Sequence, residues 1–336
     1  MNKQDDVVCY LFKYVDDFGI ITDNKKFEDW VMNQIHSKYG IRDLGEASWI
    51  LGIEIIRNWD SQTLFMNQSK YIRDILERFG MSNCKACKTP SEKSLILSID
   101  DCPKTTEDKE IVMNIPYREA IGSLIYLMKG TRPDIAEAVG KVSRFMINPG
   151  QLHWCAVKRI MRYLQGTIER GIEFSGSDLQ LTGYSDSDWA GDTGTRRSTS
   201  GSILMMNNGP ICWESKLQAV VALSTCEAEY IATSRTVQEI VGIRSVLNEI
   251  GCLQKAIIVY CDNQGAIAVA KGNENSRRTK HIDIKYHFIR KAVEDGMVEI
   301  RYIATHDMLA DIMTKPLSGV TFEKLTRTIH GEKKRE

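Results

Sequence analysis

The sequence lacks net charge: 44 Lys and Arg are balanced by 44 Asp and Glu over 336 residues. That balance excludes a uniformly basic nucleic-acid surface, so any phosphate contact must come from a local patch. Long apolar runs are also missing. None approaches the roughly 20 residues needed to span a bilayer, and no membrane partner is expected. The opening residues, Met1-Asn2-Lys3-Gln4-Asp5-Asp6, are polar and hold no secretory apolar core. Cysteine is present, but a pairing pattern is not. Nine cysteines, an odd number scattered through predicted helices and strands, argue against a disulfide framework and for a reducing compartment. Cys84-Lys85-Ala86-Cys87 has no second ligand pair at zinc spacing, so its thiols read as ordinary. Nor does any His/Cys cluster offer a transition-metal site.

What is present is ordinary globular composition, 43% hydrophobic and 26% charged, long enough for two or three domains. Residues 7–22 read as two strands around a tight turn, rich in β-branched and aromatic residues. A helix follows over 24–39, stopped by Gly40. A hairpin is expected over 49–66 and a short helix over 70–79. The polar stretch 82–110, broken by Pro90 and Pro103, reads as a linker. Helix-period positions then recur over 117–129, 133–147 and 153–164. Lys158, Arg159 and Arg162 give the last helix a basic side, suited either to solvent or to phosphate. Beyond residue 178 the pattern is three strands, a long helix over 225–250, an apolar strand over 256–262, then helices and a strand. This order predicts an α/β mixed sheet with helices on its faces.

Four acids stand out: Asp186, Glu229, Asp262 and Asp311, each at a predicted strand edge or on a predicted helix. Asp262 ends the apolar strand, where α/β folds commonly place ligand chemistry, although an acid there also suits a helix cap. Ser224-Thr225-Cys226-Glu227 matches a capping box, which gives Glu227 a structural task. Two residues on, Glu229 points to another side of the helix and is the candidate ligand. Asp186 and Asp188 would share a strand face, and spacing alone leaves the choice between them open. Asp311 is expected mid-helix, among apolar neighbours. Carboxylates roughly 4 Å apart repel by about 4 kcal/mol at an effective dielectric of 20. If the four converge, either protonation or a divalent cation must neutralise them.

A resemblance covers nearly the whole chain. Tyr14-Val15-Asp16-Asp17 resembles a reverse transcriptase hairpin. The stretches Ala120-Ile121-Gly122-Ser123-Leu124-Ile125-Tyr126-Leu127 and Thr131-Arg132-Pro133-Asp134-Ile135 resemble a connecting region. Gly183-Tyr184-Ser185-Asp186-Ser187-Asp188-Trp189, Arg196-Arg197-Ser198-Thr199-Ser200-Gly201, Ser224-Thr225-Cys226-Glu227-Ala228-Glu229-Tyr230, Tyr260-Cys261-Asp262-Asn263, Lys280-His281-Ile282-Asp283 and Ala310-Asp311-Ile312-Met313-Thr314-Lys315-Pro316-Leu317 resemble a ribonuclease H part. Together, in this order, they resemble the C-terminal end of a copia-type long-terminal-repeat retrotransposon Pol polyprotein, most like those of plants.

The resemblance implies a partial reverse transcriptase palm and thumb over 1–92, a linker and helical connection over 93–177, a ribonuclease H-like domain over 178–318 and a basic tail over 319–336. It implies Mg²⁺, with Mn²⁺ as substitute, at Asp186, Glu229, Asp262 and Asp311, and hydrolysis of RNA in an RNA–DNA hybrid. One ion would activate water and the other would stabilise the leaving 3′-oxygen. Arg196, Arg197, Arg277, Arg278 and Lys280 are candidates for phosphate contact, or equally for solvated surface charge. His281, His287 and His306 could assist proton transfer, with packing or capping the simpler role. Asp16 and Asp17 match a polymerase site whose partner aspartate lies upstream of Met1, so polymerisation by this chain is not expected. Association with other parts of a polyprotein, in a cytoplasmic particle or the nucleus, is also implied. A non-catalytic transposon remnant is the alternative. An integrase-type nuclease fits less well, because that class ends its acidic set with a glutamate.

Overall fold

The computed structural model describes residues 7–271 and 283–332. The chain divides into two compact units, one running up to Leu51 and the other starting at Gly52. In the first unit, β1 (Cys9–Tyr14) and β2 (Asp17–Thr22) pair antiparallel, with Tyr14 opposite Asp17. Helix α1 (Lys25–Tyr39) begins where the Asn24 side chain accepts the amide of Phe27, and ends at Gly40 in the left-handed conformation, as expected. A two-residue strand, β3 (Trp49–Ile50), follows.

The second unit begins with β4 (Ile53–Asn58) and β5 (Thr63–Asn67), an antiparallel pair, then α2 (Ser69–Arg78). Helices α3 (Thr106–Val112), α4 (Tyr117–Gly130), α5 (Ala136–Ser143) and α6 (Gln151–Gln165) lead to β6 (Ile172–Ser175), which returns to pair with β5. The sequence pattern does not predict β6, whose four residues are too few for a period to show. The expected single helix over 133–147 is instead a 3-10 turn at Pro133–Ile135 followed by the shorter α5. Proline fixes the backbone angle suited to a first turn but donates no amide there.

A mixed sheet of five strands follows, in the order β11-β10-β7-β8-β9. Its strands are β7 (Thr182–Ser187), β8 (Thr199–Met206), β9 (Gly209–Leu217), β10 (Ile257–Cys261) and β11 (Val298–Tyr302). Strand β10 runs parallel to both β7 and β11, whereas β7, β8 and β9 form an antiparallel meander. Its alternate residues Ile257, Val259 and Cys261 are buried, as a central strand requires. Helices α7 (Thr225–Glu249), α8 (Gln264–Ala270) and α9 (Asp283–Glu294) pack with β7, β10 and β11 into one apolar core. Gly183 makes this close: a Cβ there would stand 3.1 Å from Ile240 and 3.2 Å from Leu204.

The opposite face carries a second core, built from α2, α4, α5, α6, α10 (Asp311–Thr314) and α11 (Gly319–Ile329). Strand β8 feeds both: Leu204 joins the first core, and Ile203 and Met205 the second. The boundaries expected at 92/93 and 177/178 therefore fall inside this unit. The supposed linker also lies on it. Cys87 donates its amide to Arg162, whose guanidinium donates to Lys85 O at 2.7 Å, and Arg159 donates to Glu92 and Thr89. Leu95 and Leu97 pack against the core.

The expected tail over 319–336 is a correction as far as residue 332. Phe322, Leu325 and Ile329 of α11 are buried, and His330 is completely so. The imidazole of His330 sits 3.3 Å from Asp134 and 2.6 Å from Gly171 O. Asp134 also accepts from Arg132 and from the Tyr163 hydroxyl, and all of these side chains are buried. Burial opposes the Asp134 charge, yet Arg132 and His330 hold its carboxyl well below the usual range. The basic end, Lys333-Lys334-Arg335, lies outside the described residues.

Candidate metal centre

Three carboxylates from three separate elements meet at the end of this sheet. Ligand atoms of Asp186, Glu229 and Asp262 all lie within 4.8 Å of one another, the single such cluster found among the described residues. Asp186 occupies the end of β7, paired with Gly201 of β8. Asp262 directly follows β10, the strand parallel to β7, so the two strand ends bring these acids side by side. Glu229 comes from the second turn of α7, which crosses β7.

Hydrogen-bond donors hold each carboxylate. Ser187 offers Glu229 both its amide, at 3.1 Å, and its hydroxyl, at 3.2 Å. Thr305 donates to Asp262 at 2.8 Å, and Thr314 donates to Asp186. The helix cap that Asp262 could have served belongs to Asn263, whose side chain accepts the amide of Ala266. Ser224 caps α7 by accepting from Glu227, and Glu227 itself accepts from Leu223. Asp188 lies past the end of β7, where it exchanges backbone and side-chain bonds with Thr199. Burial pushes its carboxyl up to about 6. Asp186, on the strand, belongs to the cluster, whereas the chain has left the strand before the alternation reaches Asp188.

Asp311 is not mid-helix as expected; it is the first residue of the one-turn α10. Gly201 allows that turn to lie on β8, because a Cβ there would stand 2.6 Å from Thr314 Cγ2, 2.7 Å from Met313 Cβ and 3.0 Å from Ala310 O. Asp311 is buried beside Asp186 but outside the three-carboxylate cluster. Its partner is Lys315, whose Nζ lies 2.8 Å from Asp311 Oδ1 and 3.7 Å from Asp186 Oδ2. Lys315, Thr314, Thr305 and Ser187 were not singled out from sequence. For the first two a signal existed: they stand three and four residues after Asp311, the spacing of one helix face.

The electrostatics follow from burial. Asp186 is 1% exposed and Glu229 6%. Burial, then Asp186, pushes Glu229 up to about 9. Burial, then Asp186, pushes Asp311 up to about 7. Burial also raises Asp186, against the pull of Lys315 and Thr314. Two charges 4.8 Å apart repel by about 3.5 kcal/mol at an effective dielectric of 20. Joint ionisation of Asp186 and Glu229 is therefore costly, and a cation bound beside them would relieve that cost. An all-oxygen donor set, each ligand steadied by a hydroxyl or amide, fits a hard divalent ion such as Mg²⁺ or Mn²⁺.

Among the described residues, no further His, Cys, Asp or Glu joins this cluster. Arg196 and Arg197 lie in the loop joining β7 to β8, with Arg196 left-handed and exposed. Arg277, Arg278, Lys280 and His281 lie outside the described residues. His287 is exposed on α9, and His306 pairs with Asp307 at 3.1 Å. Asp16 and Asp17 stand exposed at the β1–β2 turn and belong to no three-ligand cluster among the described residues. None of the nine cysteines is in a disulfide, Cys84 and Cys87 included.

Residues 4–93 match the family model described as reverse transcriptase (RNA-dependent DNA polymerase). The chain is 45% identical over 93% of its length to the retrovirus-related Pol polyprotein from transposon TNT 1-94 of Nicotiana tabacum, covering 24% of that protein. It is 38% identical over 96% of its length to the corresponding polyprotein of transposon RE2 of Arabidopsis thaliana, covering 22% of it. The chain thus spans about a quarter of the length of these curated relatives. Among solved structures it is similar to LC11-RNase H1 isolated from compost, with 12% identity and a TM-score of 0.32 over 44% of this chain and 97% of that one. By its sequence relationships, the chain belongs to the copia-type retrotransposon Pol polyproteins.

Proposed function

We propose that this chain carries the ribonuclease H activity of a retrotransposon Pol polyprotein, hydrolysing the RNA strand of an RNA–DNA hybrid with Mg²⁺ as cofactor and Mn²⁺ as substitute. The observation that carries this reading is the convergence of Asp186, Glu229 and Asp262 within 4.8 Å from elements far apart in sequence. Their order and motifs, with Asp311 last, are those that the resemblance assigns to ribonucleases H.

Asp186, Glu229 and Asp262 would hold the ion, with Asp311 beside them. When bound, such ions lower the pKa of water to make a nucleophile and stabilise the leaving oxygen. The protein's own part is positioning. Ser187 fixes Glu229 by two hydrogen bonds, Thr305 fixes Asp262 and Thr314 fixes Asp186, so the ligand oxygens are arranged before any ion enters. Glu229 and Asp311 must give up protons as the site loads. Discrimination of RNA would rest on 2′-hydroxyl contacts and hybrid shape. Arg196 and Arg197 are the described candidates for phosphate contact. No polymerase step is assigned to Asp16 and Asp17.

The test uses the whole chain, because one apolar core joins α2 and α4–α6 to β8, α10 and α11. Incubation with an end-labelled RNA–DNA hybrid and Mg²⁺ is expected to give internal cuts in the RNA strand only. Asp262→Asn is expected to remove cleavage while leaving the far-UV dichroism unchanged. A folded parent protein that leaves the hybrid intact with both Mg²⁺ and Mn²⁺ would refute the assignment.

A further inference from the structure

Lys315 is not explained by the proposed chemistry as it stands. Its ammonium lies between two buried carboxylates, 2.8 Å from Asp311 and 3.7 Å from Asp186. Asp186 belongs to the three-carboxylate cluster and Asp311 does not. Asp186 is thus already supplied with a positive charge by the chain itself, shared with Asp311.

We propose that Lys315 is a resident counterion, occupying the place between Asp186 and Asp311 that a second divalent ion would take, and that it must swing out before such an ion binds. This inference rests on the nuclease reading above. Three features support it. Lys315 follows Asp311 by four residues, and its amide donates to Asp311 O at 3.2 Å, so the turn of α10 ends with the ammonium over the acid. The two acids are 1% and 5% exposed, whereas the lysine side chain is 37% exposed, so the acids are fixed and the cation can reach solvent. A lysine is a compact charge on a flexible stem, suited to such exchange in a way that a planar, two-pronged arginine is not. The site is then graded. One ion can draw on Glu229 and Asp262 beside Asp186, with the ammonium at hydrogen-bond distance from Asp311 and farther from Asp186, whereas a second must displace it.

The probe is Mn²⁺ alone, titrated calorimetrically into the full chain. The parent is expected to show one tight and one weak event. Lys315→Met keeps the stem and removes the charge. It is expected to tighten the weak event by about twofold to fivefold, the weight of a partly exposed ion pair. Lys315→Arg is expected to leave the second event as weak as in the parent. An unchanged or weakened second event in Lys315→Met, with the first intact, overturns this proposal and spares the nuclease reading. No Mn²⁺ binding by the folded parent overturns both. A second measurement needs no variant: acetylation of Lys315 by acetic anhydride, read by mass spectrometry. Its rate is expected to rise several-fold at Mn²⁺ concentrations that fill the second event, and a constant or falling rate overturns the proposal.

Discussion

Replacing Glu229 by Gln tests whether the acids truly crowd one another. The folded carboxyl is pushed up to about 9 by burial and Asp186, from an ordinary value of 4.5. At pH 7 without metal, the folded chain keeps a proton on Glu229 that the unfolded chain has lost. Folding must take up that proton, which costs about 1.4 kcal/mol per pH unit above the unfolded value, or roughly 3 kcal/mol. The sign is therefore opposite to that of a salt-bridged carboxylate: this group destabilises increasingly as pH rises from the unfolded value toward the folded one. Gln avoids the cost and retains an oxygen to accept from Ser187, which now donates to Glu229 Oε1. Because Asp186 shares in the repulsion, the expected gain is about 1–3 kcal/mol, or roughly 2–8 °C in Tm. Calorimetric melts in EDTA should show the gap over the parent widening from pH 5 to pH 8. Mg²⁺ at ten times its Kd should then stabilise the parent by about 1.4 kcal/mol and the variant by much less. A variant less stable than the parent across this pH range, or an equal response of both to Mg²⁺, would refute the reasoning.

Three further outcomes follow from the same geometry. Mg²⁺ stabilisation of the parent should grow from pH 6 to pH 9, as Asp311, near 7, and Glu229, near 9, shed their protons; a flat profile in metal-titrated melts would contradict the assigned ligands. Gly201→Ala should push α10 away from β8, costing about 1–3 kcal/mol of stability and lowering hybrid cleavage together with Mg²⁺ stabilisation. Urea melts paired with cleavage assays check both, and unchanged cleavage would mean that α10 does not position the site. Asp134→Ala leaves Arg132 and His330 buried without their carboxylate, and should destabilise the protein by about 3–5 kcal/mol; an unshifted urea midpoint would show that this network does not hold α11 in place.

Much of the local structure was legible from residue order. Gly40 ends α1, Ser224 begins α7, and the apolar run ending at Asp262 is the interior strand β10. Each is decided by neighbours within about a turn, through a cap, a left-handed residue or an alternation of side chains. The acid motifs and their order, likewise, needed no coordinates. Where expectations failed, a distant partner was responsible. The residues after 318 looked like a tail because their helix is held by Phe322 and His330 against residues far earlier in the chain. The stretch 82–110 looked like a linker because the anchors of its first part, Arg159 and Arg162, lie about seventy residues on.

The sequence by itself determined which acids were available, which strands and helices would carry them, and which family the chain resembles. The tertiary structure alone decided that β10 lies beside β7, so that Asp262 meets Asp186 and Glu229. It also decided that Asp188 turns away to Thr199, that Gly201 admits α10, and that Lys315 stands between Asp186 and Asp311. The reason is physical: helix caps and strand alternation are short-range, whereas the meeting of these carboxylates depends on strand order and on close contacts across the sheet, which no local pattern encodes.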